Sequence, residues 1–318
     1  MTNNLRVAVI GVGSFGRNHA RVISQLPDVD LTALVDPNLA ETEQLATLYG
    51  SAAFSAMEPA IGNIDAAIVA TPTITHEAVT SRLLEAGIDI LVEKPIADTS
   101  TAGERLARLA RERGRILQVG HLERFNPAVA ALERVLTIPL FFEVHRLSVF
   151  TPRSLDIDVV LDLMIHDLEI VVSFTRQMPD EIRAAGISVL SPKVDIANVR
   201  LSFSNGCVAN LTASRVSTEQ IRKLRLFQPG EYISLDYSRQ DAIRLAVKDG
   251  IINFAPLSVE HAEPLKLELL SFFSSVRDRS TPKVDGFGAA KALRIAEEIL
   301  GKIQEHSDLV SSTVRRGL

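Results

Sequence analysis

The first third of the chain alternates short, continuously apolar runs with amphipathic ones. Apolar runs fall near residues 5–10, 31–36, 52–54, 65–70, 88–93 and 115–119, and helical periodicity fills the spaces between them. A run that is apolar throughout, rather than at every second position, is what a strand buried on both faces requires. The pattern therefore predicts a doubly wound parallel sheet of the Rossmann type, covered by helices on both sides. Gly50, Gly87 and Gly114 each follow a periodic stretch, where a left-handed C-terminal cap is needed.

After Gly120 the pattern changes. A helix is expected over about 126–136, a long strand over 140–150 and an apolar helix over 157–174. Beyond Pro179 come period-two runs: EIRAAGISVL, IANVRLSFSNG, CVANLTASRV, RKLRLFQ, EYISLDY and AIRLAV. Asn205-Gly206 and Asp249-Gly250 sit between such runs as hairpin turns, because both residue pairs tolerate positive φ. The second half thus reads as an α+β domain built on a large, mostly antiparallel open sheet, and the domains divide as 1–121 and 122–318. Two closing helices, near 264–279 and 286–304, can pack on either domain, the terminal one back on the first, and the tail from His306 is expected to be weakly ordered.

One face of the second sheet offers Val199, Leu201, Phe203, Leu211, Leu226, Ile233 and Leu235 to a core. The other carries Ser202, Asn210, Thr212, Ser214 and Ser234, a broad small polar face that can stay solvated or pack on a second copy.

With 318 residues, 46% of them hydrophobic, the chain can bury a core in each of two domains. A formal net charge of -5 supplies no basic field to draw nucleic acid or an anionic membrane, so any anion must be held locally. The single cysteine, Cys207, precludes an intrachain disulfide and a cysteine metal cluster; it reads as a small apolar strand residue in a reducing compartment. The start MTNNLRVAVIGVG has neither the basic opening nor the long apolar stretch of a signal peptide, and no segment reaches a membrane span, so a cytoplasmic protein is expected.

The most informative chemistry lies in LRVAVIGVGSFGRNHARVISQLPDVDLTALVD, residues 5–36. Gly11 permits a tight turn off the first strand, Gly13 lets backbone approach a pyrophosphate, and Gly16 lets the following helix pack close to the sheet. The helix N-terminus, with Ser14 and Phe15 in its first turn, favours an anion. Asp36, twenty residues after Gly16, is placed to accept hydrogen bonds from a ribose diol. The expected ligand is a dinucleotide, NAD rather than NADP, since no lysine or arginine lies between Asp36 and Thr71 to neutralise an extra phosphate.

Two further constellations carry chemistry. Glu93-Lys94-Pro95 closes the fifth strand, at the sheet edge where ligands sit, and a lysine there can stabilise the alkoxide that develops as hydride leaves a substrate; the alternative is a solvated lysine paired to Glu93. Asp162 and His166 are four apart in the apolar helix, hence on one face. A histidine there can take an alcohol proton near neutral pH while the carboxylate orients it; the alternative is a structural pair. A metal reading is weaker, for no further ligand stands at recognisable spacing. Thr71-Pro72 ends the fourth strand and shapes the cofactor floor, His76 borders the nicotinamide, and His19 reads as packing.

These residues resemble the glucose-fructose oxidoreductase, inositol dehydrogenase and MocA family over nearly the whole chain. The resemblance rests on GVGSFGRNHAR at 11–21, VATPTITH at 69–76, EKP at 93–95, GHLERFNPA at 120–128, DLMIHDL at 162–168 and EPLKLELLSFFSSV at 263–276. It implies that Lys94, Asp162 and His166 form the catalytic constellation, with His166 as base and Lys94 and Asp162 holding the reacting hydroxyl. It also implies that the open sheet makes dimers or tetramers.

Within the family, GHLERFNPA followed by FTPRSLDIDVVLDLMIHDL looks most like enzymes that oxidise nucleotide-linked amino sugars, the 3-hydroxyl of UDP-N-acetylglucosamine in particular, toward a 3-amino sugar of lipid A. That likeness draws Asn126 into the substrate set. Arg124, Arg146 and Arg153 bracket the start of the second domain, and a guanidinium fork suits a diphosphate, so Arg124 and Arg153 are candidate substrate ligands. The rivals are a dehydrogenase of a free sugar, an inositol or a reduced pyrrole, and a redox sensor that binds NAD without turnover.

Overall fold

The continuous apolar runs of the first third become strands of one parallel sheet. In this computed structural model, which describes residues 4–151, 155–248 and 250–317, that sheet holds β1 (Leu5–Ile10), β2 (Val29–Val35), β3 (Ala52–Phe54), β4 (Ala66–Val69), β5 (Asp89–Glu93) and β6 (Leu117–Gly120). Between them run α1 (Ser14–Ile23), α2 (Leu39–Tyr49), the short α3 (Glu58–Ile61), α4 (His76–Glu85) and α5 (Ser100–Glu112). The spatial order is β3-β2-β1-β4-β5-β6, every pair parallel. The order reverses between β1 and β4, and this switch point is where such sheets bind ligands, outside the carboxyl ends of the strands. Val7, Ala8 and Val9 of β1 and Ile68 and Val69 of β4 are fully buried, as strands covered on both faces must be.

The second unit opens with α6 (Pro127–Val135) and β7 (Phe141–Val149), then α7 (Ile165–Thr175), which a π-helical segment, Val160–Met164, precedes. Seven strands follow: β8 (Glu181–Ile187), β9 (Ile196–Ser202), β10 (Val208–Ser217), β11 (Ile221–Gln228), β12 (Glu231–Asp236), β13 (Asp241–Lys248) and β14 (Ile251–Pro256). They form an eight-stranded sheet with β7, ordered β14-β13-β12-β11-β7-β10-β9-β8 and antiparallel except where β7 meets β10. The expected inner face is buried throughout, from Val199 and Leu201 to Ile233 and Leu235, and packs with Leu168, Val171 and Val172 of α7.

Four details depart from the sequence reading. Ser214 is buried, not on the polar face, because the register against β7 shifts between Ser214 and Ser217 and alternation is lost: Ala213, Ser214 and Arg215 are all inside. The run IINFAP forms an additional edge strand, β14, exposed at all six positions. The closing helix α8 (Pro264–Asp278) belongs to the first unit, where Leu269, Phe272 and Phe273 join the core beneath α1. The chain divides into one compact unit up to Leu122 with Glu263–Ala290, and a second of Glu123–Ala262 with the chain from Lys291 onward, so the terminal helix α9 (Gly286–Gly317) leaves only its first residues in the first unit. It runs to Gly317, since no proline or glycine interrupts residues 302–316. Among the described residues no helix is long and apolar enough to cross a membrane.

Candidate active site

The turn after β1 is built as its glycines require. Gly11 has φ +90, and a Cβ there would stand 2.6 Å from the carbonyl oxygen of Ala70; a Cβ on Gly16 would stand 1.8 Å from the carbonyl oxygen of Gly11. No side chain caps α1, whose N-cap is Gly13, so first-turn amides remain for an anion. The Asp36 carboxylate is fixed by two backbone donors: the Val12 amide donates to Oδ2 and the Asn38 amide to Oδ1, both at 2.9 Å. A cavity of about 740 Å³ lies along this edge, lined by Gly13, Ser14, Phe15, Asp36, Thr71 and Pro72. The chain fits a dinucleotide here: glycine backbone and free amides for phosphates, a carboxylate for a ribose diol, and apolar walls.

The sequence reading missed the far wall of that cavity, Ser55 to Glu58, which follows β3 and carries no motif. It also missed a cation close to the acid. Arg17 donates from Nε to the Val12 carbonyl at 3.0 Å and is ion-paired with Glu41 of α2, which in turn accepts from Asn38 Nδ2 at 3.0 Å.

At the end of β5, Glu93 and Lys94 are half-buried. Glu93 is tied to α1, not simply to its neighbour: His19 Nε2 lies 2.7 Å from Glu93 Oε1, and the imidazole is 1% exposed. His19 is therefore a buried hydrogen-bonding partner and not mere packing. Glu268 of α8 is buried in the same unit, and burial, followed by the charge of Glu93, holds its carboxyl well above the usual range. The signal for both was available in the apolar stripes of their helices: His19 lies with Gly16, Ala20 and Ile23, and Glu268 with Leu269, Phe272 and Val276. A polar group in such a stripe needs a partner.

His76 is not among the residues that line this cavity. It is buried, with Nδ1 2.8 Å from the Pro95 carbonyl oxygen and Nε2 2.9 Å from that of Thr71. Both ring nitrogens are thus spent on linking the Thr71 loop to the segment after Lys94. Its part is positional.

In the second unit, the helix expected over 157–174 begins with one π-helical turn before becoming regular. Such turns recur at functional sites. Asp162 lies in the π turn and His166 in the α turn that follows, and both are partly exposed while Met164, Ile165 and residues 167–172 are buried. Leu161 and Leu163 share that partial exposure, so Asp162 and His166 are the polar groups of a face that is otherwise apolar.

The segment leading into that helix is anchored from below. Asp195, fully buried, accepts from the amides of Val189, Leu190 and Ser191 at 2.7, 2.6 and 2.9 Å and from the Ser191 hydroxyl at 2.6 Å. Burial would raise its carboxyl, but these donors outweigh it and hold the group at about 2. Arg215 reaches from Asp195 to the Ile157 carbonyl, and Val159 N–H donates to Val194 O at 2.9 Å.

The expected substrate ligands Arg124 and Asn126 are committed elsewhere. Arg124 is 4% exposed, ion-paired with Glu133 and Glu169 at 3.2 Å each, and stacked over Phe174. Asn126 caps α6 by accepting from the Ala128 amide at 3.1 Å and donates to Glu123 and to the Tyr237 carbonyl. A burial requirement, which spacing does not reveal, turns both inward. Arg146 is also internal: it donates to both oxygens of Asp167, at 2.6 and 2.8 Å, and to Glu123 at 2.9 Å, over the ring of Tyr237. Arg153 lies outside the described residues.

Comparison with known proteins agrees with this geometry. Residues 5–121 match the model of an oxidoreductase family, GFO_IDH_MocA, with an NAD-binding Rossmann fold. The chain is 37% identical over 235 residues to a UDP-N-acetylglucosamine 3-dehydrogenase of Acidithiobacillus ferrooxidans, covering 74% of each chain. A solved structure of the UDP-N-acetylglucosamine 3-dehydrogenase from that organism superposes with a TM-score of 0.91 at 31% identity, covering 95% of this chain and 98% of the other. A scyllo-inositol 2-dehydrogenase (NAD(+)) of Bacillus subtilis is 26% identical, over 93% of each chain.

Proposed function

The chain belongs to the GFO_IDH_MocA oxidoreductase family, and from that premise we propose that it oxidises the 3-hydroxyl of UDP-N-acetylglucosamine to the 3-keto sugar. The family is NAD-binding, and NAD, when bound, accepts the hydride. In this reading His166 takes the hydroxyl proton, Asp162 orients the imidazole or a sugar hydroxyl, and Lys94 stabilises the developing oxyanion. Asp36 receives the adenosine ribose, and the first-turn amides of α1 receive the pyrophosphate. The observation that carries the reading is the Asp162–His166 pair, the two polar residues left partly exposed in the first turns of a helix whose residues 164, 165 and 167–172 are buried. A 3-keto sugar is the substrate that amination needs, so the product suits an aminotransferase that makes a 3-amino sugar for lipid A. The lone buried thiol of Cys207 suits a reducing, cytoplasmic setting.

The same reading includes self-association through the outer face of the second sheet. Val208, Phe141, Phe227, Tyr232, Leu245 and Phe254 are successive cross-strand neighbours there, an apolar row with Phe254 65% exposed. A second copy of the sheet would cover it as a homodimer or homotetramer. Sedimentation of wild type against Phe254→Glu tests this; a monomer in both would overturn it.

The activity is tested by NADH absorbance with NAD and a panel of UDP-sugars, free sugars and inositols, with an amine donor and aminotransferase trapping the ketone. NADH with UDP-N-acetylglucosamine is expected. His166→Ala should lose at least about 100-fold in turnover, the lower range for one general base, with NAD binding intact. NADH from unphosphorylated polyols alone would discard the nucleotide-sugar reading, and NAD binding with no NADH across the panel would make the chain a sensor.

A further inference from the structure

The second unit holds a guanidinium that its own carboxylates do not satisfy. Arg222 lies on β11 directly opposite Arg146 of β7, and it alternates with buried Leu224, Leu226 and Gln228, so it stands on the helix-facing side of the sheet. Arg146 already engages the acids nearby. It occupies both oxygens of Asp167 and Oε1 of Glu123, while the Tyr237 hydroxyl adds a third bond to Asp167 and Asn126 takes Oε2 of Glu123. Arg222 makes no side-chain hydrogen bond or ion pair among the described residues. It is half-buried and keeps one side open.

Such an arrangement costs folding free energy, since a partly desolvated charge beside a like charge is only partly compensated. Burial, and after it the charge of Arg146, pulls the Arg222 guanidinium below its ordinary value, and Glu123 and Asp167 recover only part. An anion placed against Arg222 would remove that penalty. The position is close to the chemistry in the same unit, for Asp167, whose charge reaches Arg222, is the residue after His166.

We propose that Arg222 is the substrate-binding residue that takes the diphosphate of a nucleotide-linked sugar, in the place that Arg124 vacates by turning inward. The assignment rests on the nucleotide-sugar reading above. A guanidinium fork can engage two phosphate oxygens at once, and the loss of such a charge-assisted contact weakens binding by about 10- to 100-fold.

The test compares wild type, Arg222→Gln and Arg222→Lys. In Arg222→Gln the KM for UDP-N-acetylglucosamine should rise about 10- to 100-fold and competitive inhibition by UDP should weaken in parallel, with kcat within about 3-fold. The KM for NAD and the melting temperature should not worsen, because the variant removes an uncompensated charge. Arg222→Lys should fall between. An unchanged KM and UDP inhibition would overturn the proposal, and so would a raised KM accompanied by a lowered melting temperature and a raised KM for NAD, which marks a structural role. If wild type makes no NADH from UDP-N-acetylglucosamine, the functional reading has failed. Calorimetry with UDP alone then decides the anion site: binding to wild type lost in Arg222→Gln upholds it, and equal or absent binding overturns it.

Discussion

His19 of α1 reaches Glu93 at the end of β5, Nε2 to Oε1 at 2.7 Å, and so ties the helix that opens after the glycine turn to the residue before Lys94. The pair is nearly closed to water, and Glu268 lies close enough for the charge of Glu93 to act on its carboxyl. Removing His19 leaves Glu93 without its donor, and Lys94 inherits the misplacement. His19→Ala should lower kcat by about 10- to 100-fold, the cost of small displacements of a reacting group, and His19→Gln should recover part of it. Steady-state kinetics checks this; unchanged kcat in His19→Ala would show that the pair only packs.

Glu268 gives a second readout of the same cluster. Its folded carboxyl is raised above the unfolded value of about 4.3, so its contribution to stability is complete below that value and is lost as pH rises through the folded one. Glu268→Gln cannot ionise. Melting temperatures between about pH 5 and pH 9 should therefore shift progressively in favour of the variant over wild type as pH rises. A constant difference would mean that Glu268 does not titrate.

The inward arginines separate binding from stability. Arg124→Gln strips Glu169, 5% exposed, of a cation, and breaking one partner of a buried pair costs about 3–5 kcal/mol. The melting temperature should fall while the KM for UDP-N-acetylglucosamine stays within about 3-fold, the converse of Arg222→Gln. A raised KM with normal melting would restore Arg124 to the substrate.

What sequence could disclose here follows from how locally each feature is encoded. The Rossmann half was legible because continuous apolar runs, the glycine turn and Asp36 depend on neighbours in the chain, and its six strands stand within about two residues of expectation. The outer sheet was legible as alternation, but not Ser214, whose burial comes from a register shift against a strand some 70 residues earlier. Asp162 and His166 were found by their incongruity in an apolar helix. Arg222 looks like any strand arginine in RKLRLFQ; only its pairing with Arg146, and the acids that Arg146 consumes, set it apart. Arg124 and Arg146 were indistinguishable from surface cations for the same reason: ion-pair partners 9 to 45 residues away leave no trace in spacing.

If the dinucleotide lies along Asp36 as proposed, cofactor choice should have two determinants: the Asp36 carboxylate, which would repel a 2′-phosphate, and Arg17, which also bonds Val12 and is held by Glu41. Replacing Asp36 alone removes the ribose acceptor but leaves Arg17 engaged. Asp36→Ser should thus raise the KM for NAD by about 10-fold or more, the loss of a charge-assisted bond, with little gain for NADP. Adding Glu41→Ala frees Arg17, and kcat/KM for NADP should then rise by about another 10-fold. Equal NADP activity in the single and double variants would show that Arg17 does not meet the phosphate.

Asp195 organises the approach to the helix of Asp162 and His166 from a distance in sequence. It gathers three backbone amides and the Ser191 hydroxyl, and with Arg215 it joins residues 189–195 to Ile157 and Val159, the approach to Asp162 and His166. Its folded value of about 2 lies below the unfolded value of about 3.9, so the stability it confers is present above about pH 4 and is lost as pH falls toward 2. Asp195→Ala removes the acceptor of three backbone amides and of the Ser191 hydroxyl and leaves Arg215 without its carboxylate, and should lower the melting temperature at pH 7. Asp195→Asn should fall less, and its deficit against wild type should shrink between about pH 4 and pH 2, as the wild-type carboxylate itself takes up a proton. If the approach segment is what positions His166, Asp195→Asn should also lower kcat at pH 7 while the KM for NAD, held in the other unit, stays put. A stability loss without a kcat loss would confine Asp195 to the fold.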